Sequence, residues 1–271
     1  MKKLIILIVS VFTLLSNQGS RAQQFNMLPA PVDKNISIGL KVNKPFFKKT
    51  EYYENPGGAS GVYKFYGYFP LKKNWQINTE IPLVIADMGE TTKTGLGNLY
   101  VELQKALNDN KATWLAFGLY VPSIGTENYE KMFVGFLSDP YRFLQYEEGF
   151  TLNSTFGYNL RETPGILFGV EMGPDIFIPT TEGGDVELLM HYGIKGGYRF
   201  RTVSAWTELS GILIVTEEGS LDDKWMNQLF FGAQLNQGMF RPGIFYGFHL
   251  DKYIRDELSG VLGLNLQFVL K

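Results

Sequence analysis

Cysteine is absent from all 271 residues of the chain. Its absence excludes a lipid-modified cysteine anchor, a disulfide framework and thiolate metal ligands. The chain holds only two histidines, His191 and His249. A metal site would have to combine both with Asp251 from distant parts of the chain, and ordinary hydrogen-bonded histidines are the favoured interpretation. The fold must therefore be stabilised by side-chain packing and backbone hydrogen bonds.

Long hydrophobic runs are also missing from most of the chain. A transmembrane helix needs about 20 consecutive apolar residues, and no stretch after residue 22 approaches that length without charges. The formal net charge of −2 argues against a nucleic-acid partner. No phosphate-binding loop and no dinucleotide-binding glycine fingerprint occurs. These absences exclude a helical membrane protein and leave no sign of a nucleotide site.

Residues 1–22 have the three parts of a secretory signal peptide. A positively charged start (1–3), an apolar stretch of about twelve residues (4–15) and a small-x-small site (20–22) follow one another. We predict cleavage after Ala22. No linker or low-complexity tract divides residues 23–271, so we expect one exported domain, either soluble or a β-barrel in the outer membrane.

The stretch 61–86 provides the first indication of fold. Its second half alternates between two sets of residues over about eleven positions, the period of a strand with one apolar and one polar face. The apolar set is Trp75, Ile77, Thr79, Ile81, Leu83 and Ile85, and the polar set is Gln76, Asn78 and Glu80. Strands of soluble proteins have about five or six residues, whereas a membrane-crossing strand needs about nine to eleven. The length favours a transmembrane strand.

Strand-like stretches of this kind recur along the mature chain, and the connections between them are alternately long and short. The predicted strands begin near residue 36 and end at the C-terminus, with short turns such as 71–74 and 108–110 and long loops such as 45–60 and 122–148. Outer-membrane barrels have short periplasmic turns, longer extracellular loops and an even strand number. The sequence therefore predicts an all-β fold, a transmembrane antiparallel up-and-down β-barrel of about 12 strands.

The same alternation predicts which side chains face lipid and which face the lumen. Leu264 and Phe268 are expected on the lipid surface. The lumen-facing candidates are the charged residues of the opposite parity: Lys41, Lys64, Glu80, Glu102, Arg161, Glu171, His191, Lys195, Arg199, Glu208, His249 and Asp251. Twelve tilted strands give a backbone radius of roughly 12 Å, so these side chains decide whether a pore remains. Two interpretations stay open: a salt-bridged, filled lumen, and a narrow polar path that favours neither ion sign.

Residues 95–103, GLGNLYVEL, resemble the outer-membrane barrel family named for the meta-pathway of phenol degradation. In that family a Gly-Leu-Gly-Asp strand start follows a loop; here Asn98 stands in place of the Asp. A hairpin that ends in Glu-Ile-Pro (80–82) and the Tyr-Val-Pro at 120–122 extend the likeness, although 123–125 depart from the family's Thr-Gly. The resemblance implies an outer-membrane barrel concerned with the passage of small hydrophobic compounds.

The connection 122–148, called the long connection below, is too rich in aromatic and aliphatic residues for a solvated loop. We expect Phe133, Phe136 and Tyr141 to line an apolar constriction if it folds into the barrel. It would otherwise cap the mouth, form a partner interface or pack on neighbouring loops.

Three functions remain open at this stage. The first is an outer-membrane channel or transporter for small solutes, hydrophobic ones included; the second is a structural barrel with a filled lumen. The third, a lipid-modifying enzyme, is disfavoured because His191 and His249 are predicted to face the lumen and no nucleophile motif accompanies them. We therefore expect no catalytic residue, no metal and no cofactor, and we expect outer-membrane lipids and a small solute as partners.

Overall fold

The computed structural model describes residues 27–28, 35–48, 58–72, 74–87, 91–108, 112–125, 129–160, 164–217 and 224–270. The predicted signal peptide and the lumen candidate Arg161 lie outside these residues. Within them, strands dominate and the helices are few and short. None of the helices in the described ranges is long and apolar enough to cross a membrane.

Thirteen strand segments follow one another along the chain. They are β1 (Ile36–Phe47), β2 (Gly61–Pro70), β3 (Trp75–Asp87), β4 (Thr92–Leu96), β5 (Leu99–Ala106), β6 (Thr113–Val121), β7 (Gly149–Asn159), β8 (Gly165–Pro179), β9 (Glu187–Arg199), β10 (Val203–Ile214), β11 (Trp225–Leu235), β12 (Phe240–His249) and β13 (Leu258–Leu270). Helix α1 (Tyr129–Ser138) and a 3-10 segment (Pro140–Gln145) lie in the long connection, and α2 (Lys252–Glu257) precedes β13.

Antiparallel pairing closes the sheet into a barrel. Each strand pairs with the next along the chain, and β1 pairs with β13 from Ile36 opposite Leu270 onward. Segments β4 and β5 both pair with β3, so they are two parts of one barrel strand. The predicted closed barrel of 12 strands is therefore confirmed. Closure leaves no sheet edge, which is what a wall in hydrocarbon requires.

With one exception, the connections are sorted by length between the two ends of the barrel. Short turns (71–74, 107–112, 160–164, 200–202 and 236–239) lie at the end where β1 begins and β13 finishes. At the other end, strands β1, β6, β8, β10 and β12 are followed by the longer connections, and the exception is β3, which is separated from β4 by four residues in sequence. Two details break the simple pattern of strands and connections: the wall strand made of β4 and β5 is interrupted at residues 97–98, and the connection between β12 and β13 contains α2.

The side chains face as they do in a membrane barrel, with apolar groups outward and polar groups inward. On β3, Ile81 is 46% exposed, whereas its neighbour Glu80 is 9% exposed and Asn78 is 1% exposed. On β13, Leu264 and Phe268 are outward and exposed. A soluble protein has the opposite distribution, so the outer surface is suited to lipid and the inside is a polar bore.

Candidate functional site: the occupied lumen

The long connection crosses the inside of the barrel. Near its middle, the Asn43 side-chain amide of β1 donates to the Ser138 carbonyl at 3.1 Å. A few residues later, the Tyr141 hydroxyl donates to Glu171 Oε1 of β8 at 2.8 Å. Strands β1 and β8 are opposite each other in the 12-strand ring. A segment that contacts both inward faces must therefore lie across the bore.

Apolar contacts hold the connection against the wall. On one side, Tyr146 and Val134 are fully buried against Val62, Val84 and Ala86 of β2 and β3. On the other side a second cluster joins the 3-10 segment to β8, β9 and β10: its buried members are Tyr141, Phe143, Leu144, Phe177, Leu189 and Ile212. Burying each large apolar side chain contributes roughly 1.5–3 kcal/mol, which explains why this aromatic-rich connection enters the barrel.

The three constriction candidates occupy two environments. Phe133 is partly buried and stacks on Phe47 of β1 with ring centroids 6.5 Å apart, and Phe136 meets Phe143 edge-on at 6.0 Å. Tyr141 lies deeper, because its hydroxyl bonds Glu171 and its ring meets His191 edge-on at 6.1 Å. Phe133 and Phe136 thus belong to the apolar contact between α1 and the wall, while Tyr141 belongs to the polar interior.

Buried ion pairs join the turn between α1 and the 3-10 segment to the wall. Lys64 Nζ of β2 lies 2.7 Å from Asp139 Oδ2 and 3.4 Å from Glu80 Oε2. Arg142 Nη1 lies 3.8 Å from the same Glu80 oxygen. Burial alone would raise the pKa of the Asp139 carboxyl, but Lys64 and Lys41 outweigh it and hold this pKa below its usual range. We call Lys64, Glu80, Asp139 and Arg142 the charged latch.

Asn98 ties both ends of the long connection to the wall at the break between β4 and β5. Its backbone N–H donates to Gln145 O at 2.6 Å and its amide donates to Leu144 O at 3.1 Å. Its Oδ1 accepts from Ser123 N, at the start of the connection, at 3.0 Å. Gly97 leaves room for this contact, since a Cβ there would meet Gln145 O at 2.8 Å. The amide side chain of Asn98 makes both kinds of contact because it carries N–H donors and a carbonyl acceptor.

A second polar cluster in the lumen is centred on His191. Its Nδ1 is 2.9 Å from Asp175 Oδ2, and its Nε2 is 3.1 Å from Thr155 Oγ1. The cluster borders a cavity of about 20 Å³, which Tyr120 and Tyr141 also line. A cavity of this size holds one or two water molecules, so no solute fits here while the connection is in place.

The other lumen candidates are placed as follows. Glu102 is buried on β5 and accepts from Asn78 Nδ2 at 2.6 Å and from the Tyr100 hydroxyl at 2.6 Å. Six more are buried: Lys41, Glu171, Lys195, Arg199, Glu208 and His249. Asp251 is different, because β12 ends before it; it precedes α2 at the rim, partly exposed, and accepts from Asn227 N at 2.6 Å. The expectation that Asp251 faces the lumen stays a prediction, because this residue lies beyond the end of β12.

Several residues of this site were not anticipated from the sequence. Asp139 and Arg142 are charged residues inside an otherwise apolar stretch, and that contrast was the available signal. Asn98 had been noted for the resemblance alone. Met27 and Leu28, which precede β1 in the chain, also lie buried in the barrel. No periodicity in the sequence marks these two residues.

Comparisons with known proteins place the fold. No family model matches the chain, and no curated protein matches it, so membership of the resembled family stays a prediction. Among solved structures, the COG4313 outer membrane channel from Pseudomonas putida F1 superposes with a TM-score of 0.58 at 11% identity, covering 92% of this chain and 99% of that one. The NanC porin gives 0.53 at 13% identity, covering 86% and 99%. At such identities the likeness concerns the fold, an outer-membrane barrel.

Proposed function

We propose that this chain is an outer-membrane channel for small solutes and that the long connection closes its bore at rest. The observation that carries the proposal is the path of that connection, from β1 to β8 across the lumen, with a cavity of only about 20 Å³ beside it. The comparison structures are named a channel and a porin, which supports a role in passage. The predicted signal peptide agrees with an outer-membrane location.

Passage then requires the connection to move. The barrel wall is held by continuous backbone pairing, whereas the connection is held by side-chain contacts, the charged latch and Asn98. Side-chain contacts can be exchanged for water one at a time, so the connection is the part that opens. A solute would meet the apolar surface around Phe133 and Phe136 before the polar interior. The lining carries both charge signs, so neither ion sign is favoured, and hydrophobic solutes are included in the proposed range.

Planar-bilayer recordings test this proposal. Replacing 129–146 with a short Gly-Ser turn should produce large, stable conductance steps where the intact chain gives small or rare ones. The matched control is the same replacement in the exposed loop 180–186, which should change nothing. If both variants conduct like the intact chain, the long connection does not close the bore.

A structural barrel with a filled lumen is the second candidate. It is favoured by the buried latch, in which Lys64 and Asp139 are almost inaccessible to solvent. Under this alternative no variant conducts, and loosening the latch only lowers the free energy of unfolding.

A lipid-modifying enzyme is the candidate that the geometry supports least. His191, Asp175 and Thr155 form a hydrogen-bonded row, but all three are buried inside the barrel, away from lipid. We propose no hydrolytic role for them. Phospholipid vesicles incubated with the folded protein should release no fatty acid, and His191→Ala should give the same result.

A further inference from the structure

Met27 and Leu28 are held in the middle of the barrel by two carboxylates of the wall. The Met27 N–H donates to Glu208 Oε1 of β10 at 3.2 Å, and the Leu28 N–H donates to Glu171 Oε2 of β8 at 2.8 Å. Both glutamates are almost inaccessible to solvent. Hydrogen bonds from N–H groups to carboxylates are about twice as strong as neutral ones. Two consecutive main-chain donors are thus recognised as a pair.

The side chains of Met27 and Leu28 also make close contacts with the barrel wall. Leu28 lies in a cluster with Tyr100, Trp114, Ala116 and Tyr120, all buried. Met27 lies over Gly193, the middle residue of β9, where an added Cβ would come within 2.6 Å of Met27 Cγ. A glycine in a strand often marks a close approach by another chain segment. Here the approaching segment is the one that precedes β1.

We propose that Glu171 and Glu208 form a binding site for a polypeptide main chain in the lumen, and that its resident ligand is the segment containing Met27 and Leu28. The carboxylates recognise main-chain N–H groups, and the aromatic cluster selects an apolar side chain at the position of Leu28. The site therefore takes short peptides with a large aliphatic residue. This inference stands whether or not the barrel conducts.

The site is coupled to the long connection through Glu171. One oxygen of this carboxylate accepts from Leu28 N, and the other accepts from the Tyr141 hydroxyl. A peptide bound at Glu171 thus donates a hydrogen bond to the same carboxylate that accepts one from the 3-10 segment. Displacing either segment leaves the Glu171 carboxylate with one hydrogen-bond donor fewer. The hydrogen bond from the remaining segment then contributes more to satisfying this buried group.

Cross-linking tests the position of the segment in the full chain. Because the protein has no cysteine, the pair Met27→Cys and Gly193→Cys forms the only possible disulfide, and its side chains are within reach. The control pairs Met27→Cys with Gly196→Cys, a position without neighbours within 4 Å. We expect the first pair to cross-link at least about tenfold faster, as proximity raises effective concentration. Equal rates would overturn the proposal.

Peptide binding tests the chemistry of the site. Leu28→Asp places a charge among aromatic rings and beside Glu171, so it should expel the resident segment and reduce the Met27–Gly193 cross-link; Leu28→Met should not. A fluorescent peptide of residues 23–31 should then bind the folded Leu28→Asp protein, at least about tenfold more tightly than the intact one. Adding Glu171→Gln and Glu208→Gln should weaken that binding.

Three outcomes would contradict the proposal: an undiminished cross-link in Leu28→Asp, no peptide binding once the segment is expelled, or equal binding of a peptide with Asp at the position of Leu28. Heat-modifiable mobility on gels verifies that each variant has folded. None of these measurements depends on conductance, so a barrel that binds the peptide but never conducts would refute the proposed channel and leave the peptide site standing.

Discussion

Within the part of the chain that the structure describes, the barrel encloses two segments, and they are held in different ways. The long connection is covalently joined to β6 and β7 and attached by the charged latch, by Asn98 and by apolar clusters on both sides. The segment with Met27 and Leu28 is joined to the wall through β1 alone and is held in the bore by two main-chain donors and a leucine pocket.

The difference implies different stabilities. Losing one partner of a buried ion pair costs about 3–5 kcal/mol, whereas a hydrogen bond to a charged group contributes about 1.5–3 kcal/mol. The long connection takes part in two such pairs, Asp139 with Lys64 and Arg142 with Glu80, whereas the two described residues of the N-terminal segment, Met27 and Leu28, carry no charged side chain. We therefore expect the N-terminal segment to leave first and the connection to move only when the latch is broken.

The largest expected effect comes from Lys64→Met. This change leaves the buried Asp139 without its closest cation, so the free energy of unfolding should fall by about 3–5 kcal/mol in denaturant titrations of the folded barrel. The control is Lys93→Met, which removes the exposed pair between Lys93 and Glu130 of α1 and should cost less than about 1 kcal/mol. Similar losses for both variants would show that the latch does not hold the connection.

Asn98→Asp should have the next largest effect. A carboxylate can still accept from Ser123 N, but it cannot donate to Leu144 O, so a buried acceptor loses its partner. We expect a loss of about 1–3 kcal/mol in the same titration. Ser123→Ala, which removes only the hydroxyl bond to Gly97 O, should cost about 0.5–1.5 kcal/mol. An unchanged free energy of unfolding in Asn98→Asp would mean that the amide donors are dispensable.

Gly135→Ala tests the packing of α1 itself. An added Cβ would lie 2.5 Å from Tyr146 Cγ, and such overpacking costs about 1–3 kcal/mol. Alanine regains up to about 1 kcal/mol of helix propensity, so we expect a net loss of about 1–2 kcal/mol. Gly196→Ala, at an unobstructed position, is the control. A stabilised Gly135→Ala protein would mean that the Tyr146 ring shifts freely.

The smallest effect should come from Tyr141→Phe. It deletes one donor to Glu171 and leaves the Leu28 N–H in place. The free energy of unfolding should fall by about 0.5–1.5 kcal/mol, less than a hydrogen bond to a charged group usually contributes, because Glu171 keeps the Leu28 N–H as a donor. The Met27–Gly193 cross-link should form no more slowly than before. A slower cross-link would show that the two segments stabilise each other instead of sharing one acceptor.

The wall could be predicted from the sequence because its rules are local. Each strand alternates polar and apolar residues with period two, and each turn is short or long according to its end of the barrel. The facing of Glu80 and Leu264 follows from that parity alone. The break at residues 97–98, between β4 and β5, lies where the long connection binds Asn98.

The contents of the lumen could be predicted only in part. The aromatic residues of the long connection indicate burial, but not which wall Phe133 or Tyr141 reaches, because that depends on contacts between residues far apart in sequence. Asp139 and Lys64 are 75 residues apart, and Leu28 and Glu171 are 143 apart. A segment bound through its main-chain N–H groups leaves no side-chain pattern to read.

Pairing of β1 with β13 has a consequence for the order of assembly. This seam joins the first and last strands, and it closes a ring around a connection that emerges between β6 and β7 on the far side. Asn43 of β1 and Glu171 of β8 both contact that connection. The connection can therefore act as a template around which the sheet closes. If the connection folded after β1 and β13 had paired, the barrel would first close around water. The 27 residues of the connection would then have to enter the lumen through the opening of a closed barrel.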